Sequence, residues 1–225
     1  HLPNLRHDTA SMQLFLNSAW RELSEKSEVL NPFDGSVIDT VPVASPSEIN
    51  AAIDGLAKGA KTMRQIPSYK RVEILRKTAN LIREQKRELG LLISREEGKV
   101  LTESYIEVNR AAETFDLSAD EARRMNGETV PLDTTPSGVG KLGFTLRVPC
   151  GIVAAISPFN FPLNLVAHKV GPAIAGGNAV LLKPASDTPL SALKLVEILL
   201  KSGLPEDAIA CVTGSGAPLG KAICK

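Results

Sequence analysis

The sequence predicts an α/β fold whose second half is a parallel βαβαβ unit, and three observations carry that prediction. Near-continuous apolar runs at 151–156, 178–182 and 209–213 read as strands covered on both faces. The two intervals between them have helical periodicity: Leu163, Leu165, Val166 and Val170 in the first, Leu193, Val196, Ile198 and Leu200 in the second. Each run also ends in a polar or glycine-bearing loop: Ser157-Pro158-Phe159-Asn160, Lys183-Pro184-Ala185-Ser186 and Gly214-Ser215-Gly216. Parallel strands joined by helices bring such loops to one edge of the sheet, where open α/β sheets bind ligands.

Residues 1–11 precede Met12, lack apolar periodicity, and are expected to be an appended remnant outside the fold. Short alternating stretches over 12–42, broken at Asn31-Pro32 and Asp34-Gly35, predict small strands joined by a turn. Ser45-Pro46-Ser47-Glu48 then reads as a capping box with proline at the first helical position. Val72, Leu75, Ala79 and Ile82 place one buried face on a helical stretch over 68–95, ended by Gly98. A further helix is expected over 102–125, stopped by Asn126-Gly127. Together, 12–126 form an α-helical region with short N-terminal strands.

Over 127–148 the chain carries Gly127, Gly138, Gly140 and Gly143 with Pro131 and Pro136, between β-type stretches at 129–132 and 143–148. A protruding β-hairpin and a solvated linker both fit that composition. The βαβαβ half occupies 149–225. Its first helix is expected to start at Pro162 and to bend or end at Pro172, its second to be capped at Thr188-Pro189 and to end at Ser202-Gly203.

Composition is that of an ordinary globular protein: 225 residues, 43% apolar, 23% charged, net charge +1. That balance gives no sign of a nucleic-acid or membrane partner, and acidic and basic residues interleave along the helices. Cys150, Cys211 and Cys224 have no metal-ligand or CxxC spacing, so a reducing, cytoplasmic setting is expected. His168 is expected to be a helix-packing residue rather than a base.

Each loop carries two readings. Asn160 either caps the following helix or points its amide at a developing oxyanion. Lys183 either sits in a surface turn or donates to ribose hydroxyls or a phosphate. Gly214, Gly216 and Gly220 either form a tight turn or let the backbone approach a flat ring or pyrophosphate. Their spacing departs by one residue from G-x-G-x-x-G, so alone it is a weak dinucleotide signal.

Pro158-Phe159-Asn160-Phe161-Pro162, His168-Lys169-Val170-Gly171-Pro172-Ala173, Gly177-Asn178 and Leu182-Lys183-Pro184 resemble the cofactor-domain signatures of the aldehyde dehydrogenase superfamily. So do Asn31-Pro32-Phe33-Asp34-Gly35, Glu97-Gly98-Lys99 and Arg147-Val148-Pro149. The resemblance implies a Rossmann-like cofactor-binding half and a cofactor that is NAD or NADP. It makes Asn160 the oxyanion-hole amide and Lys169 a lysine of proton transfer. Lys183 would hold the adenosine ribose, Ile156, Ser157, Pro158 and Phe159 would line the cofactor path, and Gly216 and Gly220 would lie near adenine. Ser186 stands where a glutamate often grips the ribose in NAD-preferring members, so NADP should be accepted as well as NAD. Phe159 and Asn164 lean towards the branch acting on small polar aldehydes, such as lactaldehyde, phosphonoacetaldehyde and non-phosphorylating glyceraldehyde-3-phosphate dehydrogenases. The 127–148 segment resembles the family's oligomerisation strands, implying a homo-oligomer (dimer or tetramer).

The family chemistry, oxidation of an aldehyde through a cysteine thiohemiacetal and thioester, needs a thiolate and a glutamate base. Cys150 lies at the opposite end of its strand from the loops, Cys211 inside a strand, and Cys224 on a helix leading away. The expectation is therefore an N-terminal part of a longer enzyme, inactive alone, with an exposed edge strand in its three-stranded sheet. The alternative is a non-catalytic nucleotide-binding or interaction module.

Overall fold

The computed structural model describes residues 12–224, so the expected remnant at 1–11 lies outside the described residues. Five strands form the main sheet: β1 (Leu14–Leu16), β2 (Ala19–Arg21), β7 (Ile152–Ile156), β8 (Ala179–Lys183) and β9 (Ile209–Cys211), in the order β2-β1-β9-β8-β7. β7, β8 and β9 are parallel, with Ile156 opposite Lys183 and Leu182 opposite Cys211. Two helices complete the crossovers, α5 (Asn164–Ala175) and α6 (Leu190–Lys201).

Alternation along the buried strands explains the layering. Val180 and Leu182 of β8, with Ile209 and Cys211 of β9, enter one apolar core. Ala179, Leu181, Ala210 and Val212 enter the other. The first core is closed by α5, α6, α2 (Ser68–Glu84), α3 (Lys86–Glu97) and α4 (Leu101–Arg124). The second is closed by α1 (Pro46–Gln65) and α7 (Gly216–Ile223), through Ile49, Leu56 and Leu219. β8 and β9 are covered on both faces, as their apolar runs require, whereas β7 leaves Ala154 and Ile156 exposed on one face; the whole is the Rossmann-like α/β arrangement.

The capping box at Ser45 forms: Ser45 Oγ accepts from the Ser47 amide at 3.2 Å, and Ser45 N donates to Glu48 at 2.7 Å. Asn31 and Gly35 make the turn between β3 (Lys26–Leu30) and β4 (Val37–Pro42), with Gly35 at φ +72°. Over 127–148 the chain pairs β5 (Thr129–Val130) antiparallel with β6 (Gly143–Phe144). Gly127 permits this crossing, because a Cβ there would lie 1.7 Å from the Thr145 carbonyl oxygen.

Four expectations are corrected. The helical stretch over 68–95 is two helices meeting at Gln85, whose ψ of +16° leaves the helical region. Thr188 caps nothing; its hydroxyl is buried without a partner among the described residues, and α6 begins after Pro189. His168 is exposed rather than packed. The sheet has five strands rather than three, because β1 pairs antiparallel with β9 and with β2 beyond it; the edge strands of this sheet are β2 and β7.

Candidate functional site

The carboxyl ends of β7, β8 and β9 converge, and hydrogen bonds tie their loops together. Ser157 N donates to the Lys183 carbonyl at 3.1 Å, and Ser186 Oγ donates to the Gly214 carbonyl at 2.9 Å. Ile156 and Lys183 are register partners, so the first and second loops leave the sheet side by side. Gly214 holds φ +136°, a conformation open mainly to glycine, and turns the third loop into α7.

Lys183 is buried at the root of this edge and donates from Nζ to the Pro184 carbonyl at 2.9 Å. Burial pushes its pKa below the ordinary lysine value, with Cys211 acting in the other direction. An ammonium carries three donors, so this one bond leaves two for a ligand. The Ser157 hydroxyl is buried with no partner among the described residues, which leaves a donor and an acceptor to be satisfied at the same edge. A Cβ placed on Gly216 or Gly220 would meet nothing within 4 Å among the described residues, so their packing does not explain either glycine. A buried cation, a spare hydroxyl and open glycine faces suit a ligand that is hydroxylated or phosphorylated at one point and flat at another.

Asn160 is exposed, and its side-chain amide makes no hydrogen bond to the described residues. It does not cap α5. That helix start is instead held by Glu107 of α4, whose Oε1 accepts from Leu163 N at 2.9 Å and Asn164 N at 3.1 Å. Lys99 Nζ lies 2.7 Å from Glu107 Oε2, donates to the Asn160 carbonyl at 2.9 Å, and sits 3.9 Å from the Phe161 ring centroid. A helix N-terminus after a parallel strand is an anion seat; here an internal carboxylate already fills it.

The same device recurs on α6. Glu96 accepts from Leu190 N at 2.8 Å and Ser191 N at 2.9 Å, and also from the Ser191 hydroxyl. Glu96 is buried with no cation bonded to it among the described residues, and burial raises its pKa from 4.5 to about 7. Sequence reasoning assigned neither glutamate a role. A signal existed: Glu107 lies on the helical stripe of Ser104, Val108, Ala111 and Phe115, and Glu96 follows Leu89 and Ile93. Glutamates on buried stripes need partners.

The remaining expected residues separate. Pro158 and Phe159 stand exposed at the mouth of the first loop, Phe159 at 57%. Lys169 Nζ donates to the carbonyl of Leu165 in its own helix at 3.4 Å, and no bond joins it to the Asn160 loop. Asn164 is buried, and its Oδ1 accepts from Thr114 Oγ1 of α4 at 3.3 Å, so it packs helices rather than facing the loops. Cys150 Sγ donates to Asn178 Oδ1 at 3.2 Å, at the opposite end of β7. Burial pushes the Cys211 thiol well above its ordinary pKa, which leaves it protonated and inert. Among the described residues no group of His, Cys, Asp and Glu is arranged to hold a metal, and no helix is long and apolar enough to cross a membrane.

A model of the aldehyde dehydrogenase family matches residues 20–225. Aspartate-semialdehyde dehydrogenase 1 of Pseudomonas canavaninivorans is 47% identical over 196 residues, 87% of this chain and 42% of that protein. The 3-sulfolactaldehyde dehydrogenase of Priestia aryabhattai is 42% identical over 208 residues, 92% of this chain and 43% of the relative. Among solved structures, the NADP-dependent glyceraldehyde-3-phosphate dehydrogenase of Bacillus halodurans, complexed with NADP, superposes with a TM-score of 0.91 at 37% identity. That match covers 95% of this chain and 46% of the other. The chain thus spans less than half the length of the relatives it matches.

Proposed function

The chain belongs to the aldehyde dehydrogenase family, and from that premise we propose that it is the NAD(P)-binding and oxyanion-holding part of an enzyme that oxidises an aldehyde to a carboxylic acid. One observation carries the reading: a single sheet edge holds Lys183, the unpartnered Ser157 hydroxyl, the open faces of Gly216 and Gly220, and the free amide of Asn160.

In this reading Lys183 donates its two spare N–H groups to the adenosine ribose. Ser157 supplies a further hydroxyl, and Ile156, Pro158 and Phe159 wall the path of the dinucleotide. Gly216 and Gly220 admit the adenine. The nicotinamide cofactor, when bound, supplies the hydride acceptor. Asn160 donates its side-chain N–H to the oxygen of the aldehyde as negative charge builds there, a contribution worth about 3–4 kcal/mol for one such donor. Lys169 is assigned to proton transfer by family likeness, although its ammonium here rests on its own helix.

The nucleophilic thiolate and the hydrolytic base are not among the groups at this edge, so the reading takes both from outside these residues. The substrate is a small polar aldehyde, in keeping with the semialdehyde and sulfolactaldehyde relatives. Ser186 presents no carboxylate to a 2′-phosphate and is already engaged with Gly214, so NADP is bound as well as NAD. The β5–β6 arm leaves Leu142 82% and Leu146 73% exposed, which suits a contact with a second copy in a dimer or tetramer. The setting is cytoplasmic, where three free cysteines are the ordinary state.

Titrating the protein with NADPH and NADH by fluorescence tests the binding claim directly. The expected result is saturable binding of both, weakened at least tenfold by Lys183→Met. Absence of nucleotide binding to the wild type refutes the reading. Aldehyde-dependent formation of reduced cofactor then tests turnover.

A further inference from the structure

We propose that Lys99 and Glu107 are positioning residues for Asn160: they clamp the peptide between Asn160 and Phe161 so that the Asn160 amide keeps one aim. The inference rests on the reading of Asn160 given above and extends it to two residues outside the loop.

The geometry is a closed chain of charge-assisted bonds. Glu107 is buried, with Oε1 spent on the amides of Leu163 and Asn164 and Oε2 on Lys99. Lys99 spends a second donor on the Asn160 carbonyl, and Glu97 Oε2 lies 3.6 Å from the same ammonium. The ammonium also sits over the Phe161 ring, so the residue after Asn160 is gripped through its face as well. Asn160, Phe161, Leu163 and Asn164, with only Pro162 between, are therefore all referenced to one Lys–Glu pair at the α3–α4 junction. Only the side chain of Asn160 is left free to act.

A buried ion pair adds little net stability once desolvation is counted, and apolar packing of similar volume does as well. The pair is therefore poorly explained as a stabiliser. It is well explained as a geometric reference, since a bidentate carboxylate and a shared ammonium fix directions that apolar contacts leave loose.

The test compares amide hydrogen exchange across 159–165 in the wild type, in Lys99→Met and in the near-isosteric neutral pair Lys99→Met/Glu107→Gln. In the double variant the side-chain carbonyl introduced at position 107 still accepts from the α5 amides, so folding is retained while the bond to Asn160 is lost. The expected result is exchange roughly tenfold faster at Leu163 and Asn164 in both variants, with Leu190 and Ser191 of α6 unchanged. In a protein that also supplies the thiolate and base, turnover should fall about tenfold in kcat, while the Kd for NADPH and the melting temperature of the double variant stay near wild type. A purely structural role would move melting temperature, Kd and kcat together, and that result overturns the proposal. So does wild-type exchange in the double variant. If the wild type neither binds NADPH nor oxidises aldehydes, the functional reading fails, and the exchange result alone still decides whether the clamp exists.

Discussion

The β7–α5 and β8–α6 units begin with the same problem and solve it differently. Each helix starts with unpaired amides beside the ligand edge, and each is plugged by a glutamate from the helical layer. Glu107 brings a cation with it, because Lys99 lies 2.7 Å from its second oxygen. Glu96 brings only the hydroxyl and amides of Ser191 and Leu190. The first loop is thereby anchored by charge, whereas the second depends on a carboxylate that burial drives towards its protonated form. The third unit, β9–α7, has no side-chain cap on its helix, and Gly216 and Gly220 face open space among the described residues.

The largest expected difference comes from deleting each plug. Glu107→Ala strands the buried Lys99 and two amides, and should cost about 3–5 kcal/mol in urea denaturation. Glu96→Ala should cost only about 1–3 kcal/mol at neutral pH, because it also removes a carboxylate that the site disfavours. Equal losses would break the comparison.

Acidity sharpens it. The folded-state pKa of Glu96 lies above its unfolded value, rising from 4.5 to about 7. Below about 4.5 both states are protonated and the group is neutral to stability. Between 4.5 and 7 the unfolded state ionises first, so stability falls as pH rises, and the loss levels off above about 7. The shift corresponds to about 3 kcal/mol at most. Subtracting the profile of Glu96→Gln from that of the wild type isolates it from carboxylates such as Asp116, whose pKa is lowered and whose trend is opposite. A flat difference between pH 4.5 and 7 would show that Glu96 is ionised throughout.

The second loop also carries Ser186, whose hydroxyl spans to Gly214. Ser186→Glu places a carboxylate where a 2′-phosphate is proposed to sit. Affinity for NADP should fall about tenfold, or ~1.4 kcal/mol, while affinity for NAD changes little. An equal loss for both nucleotides would trace to the broken Gly214 tie rather than to charge.

What the sequence disclosed follows the same division between local and distant chemistry. The parallel strands were legible because both faces are apolar, and the Ser45 cap because its partners are three residues apart or fewer. The glutamate plugs were not, since Glu107 reaches 56 residues to Leu163 and Glu96 reaches 95 to Ser191. The pairing of β1 with β9 is equally distant, which hid a neighbour of the central strands. Asn160 stood out in its motif, yet it does not cap α5 because a glutamate in another helix holds those amides.

The smallest expected effect tests the unplugged unit. Gly220 lies within α7, and beyond that helix's own backbone a Cβ there meets none of the described residues within 4 Å. Gly220→Ala should therefore stabilise the protein by about 0.5–1 kcal/mol, since glycine weakens a helix interior by that amount. If the adenine rests on this face, the same methyl group intrudes on it, and nucleotide affinity should fall several-fold. Stability and affinity then move in opposite directions. A variant that is both steadier and binds NADPH as tightly as wild type would remove Gly220 from the cofactor site, leaving Lys183 and Ser157 to hold the nucleotide from the first two loops alone.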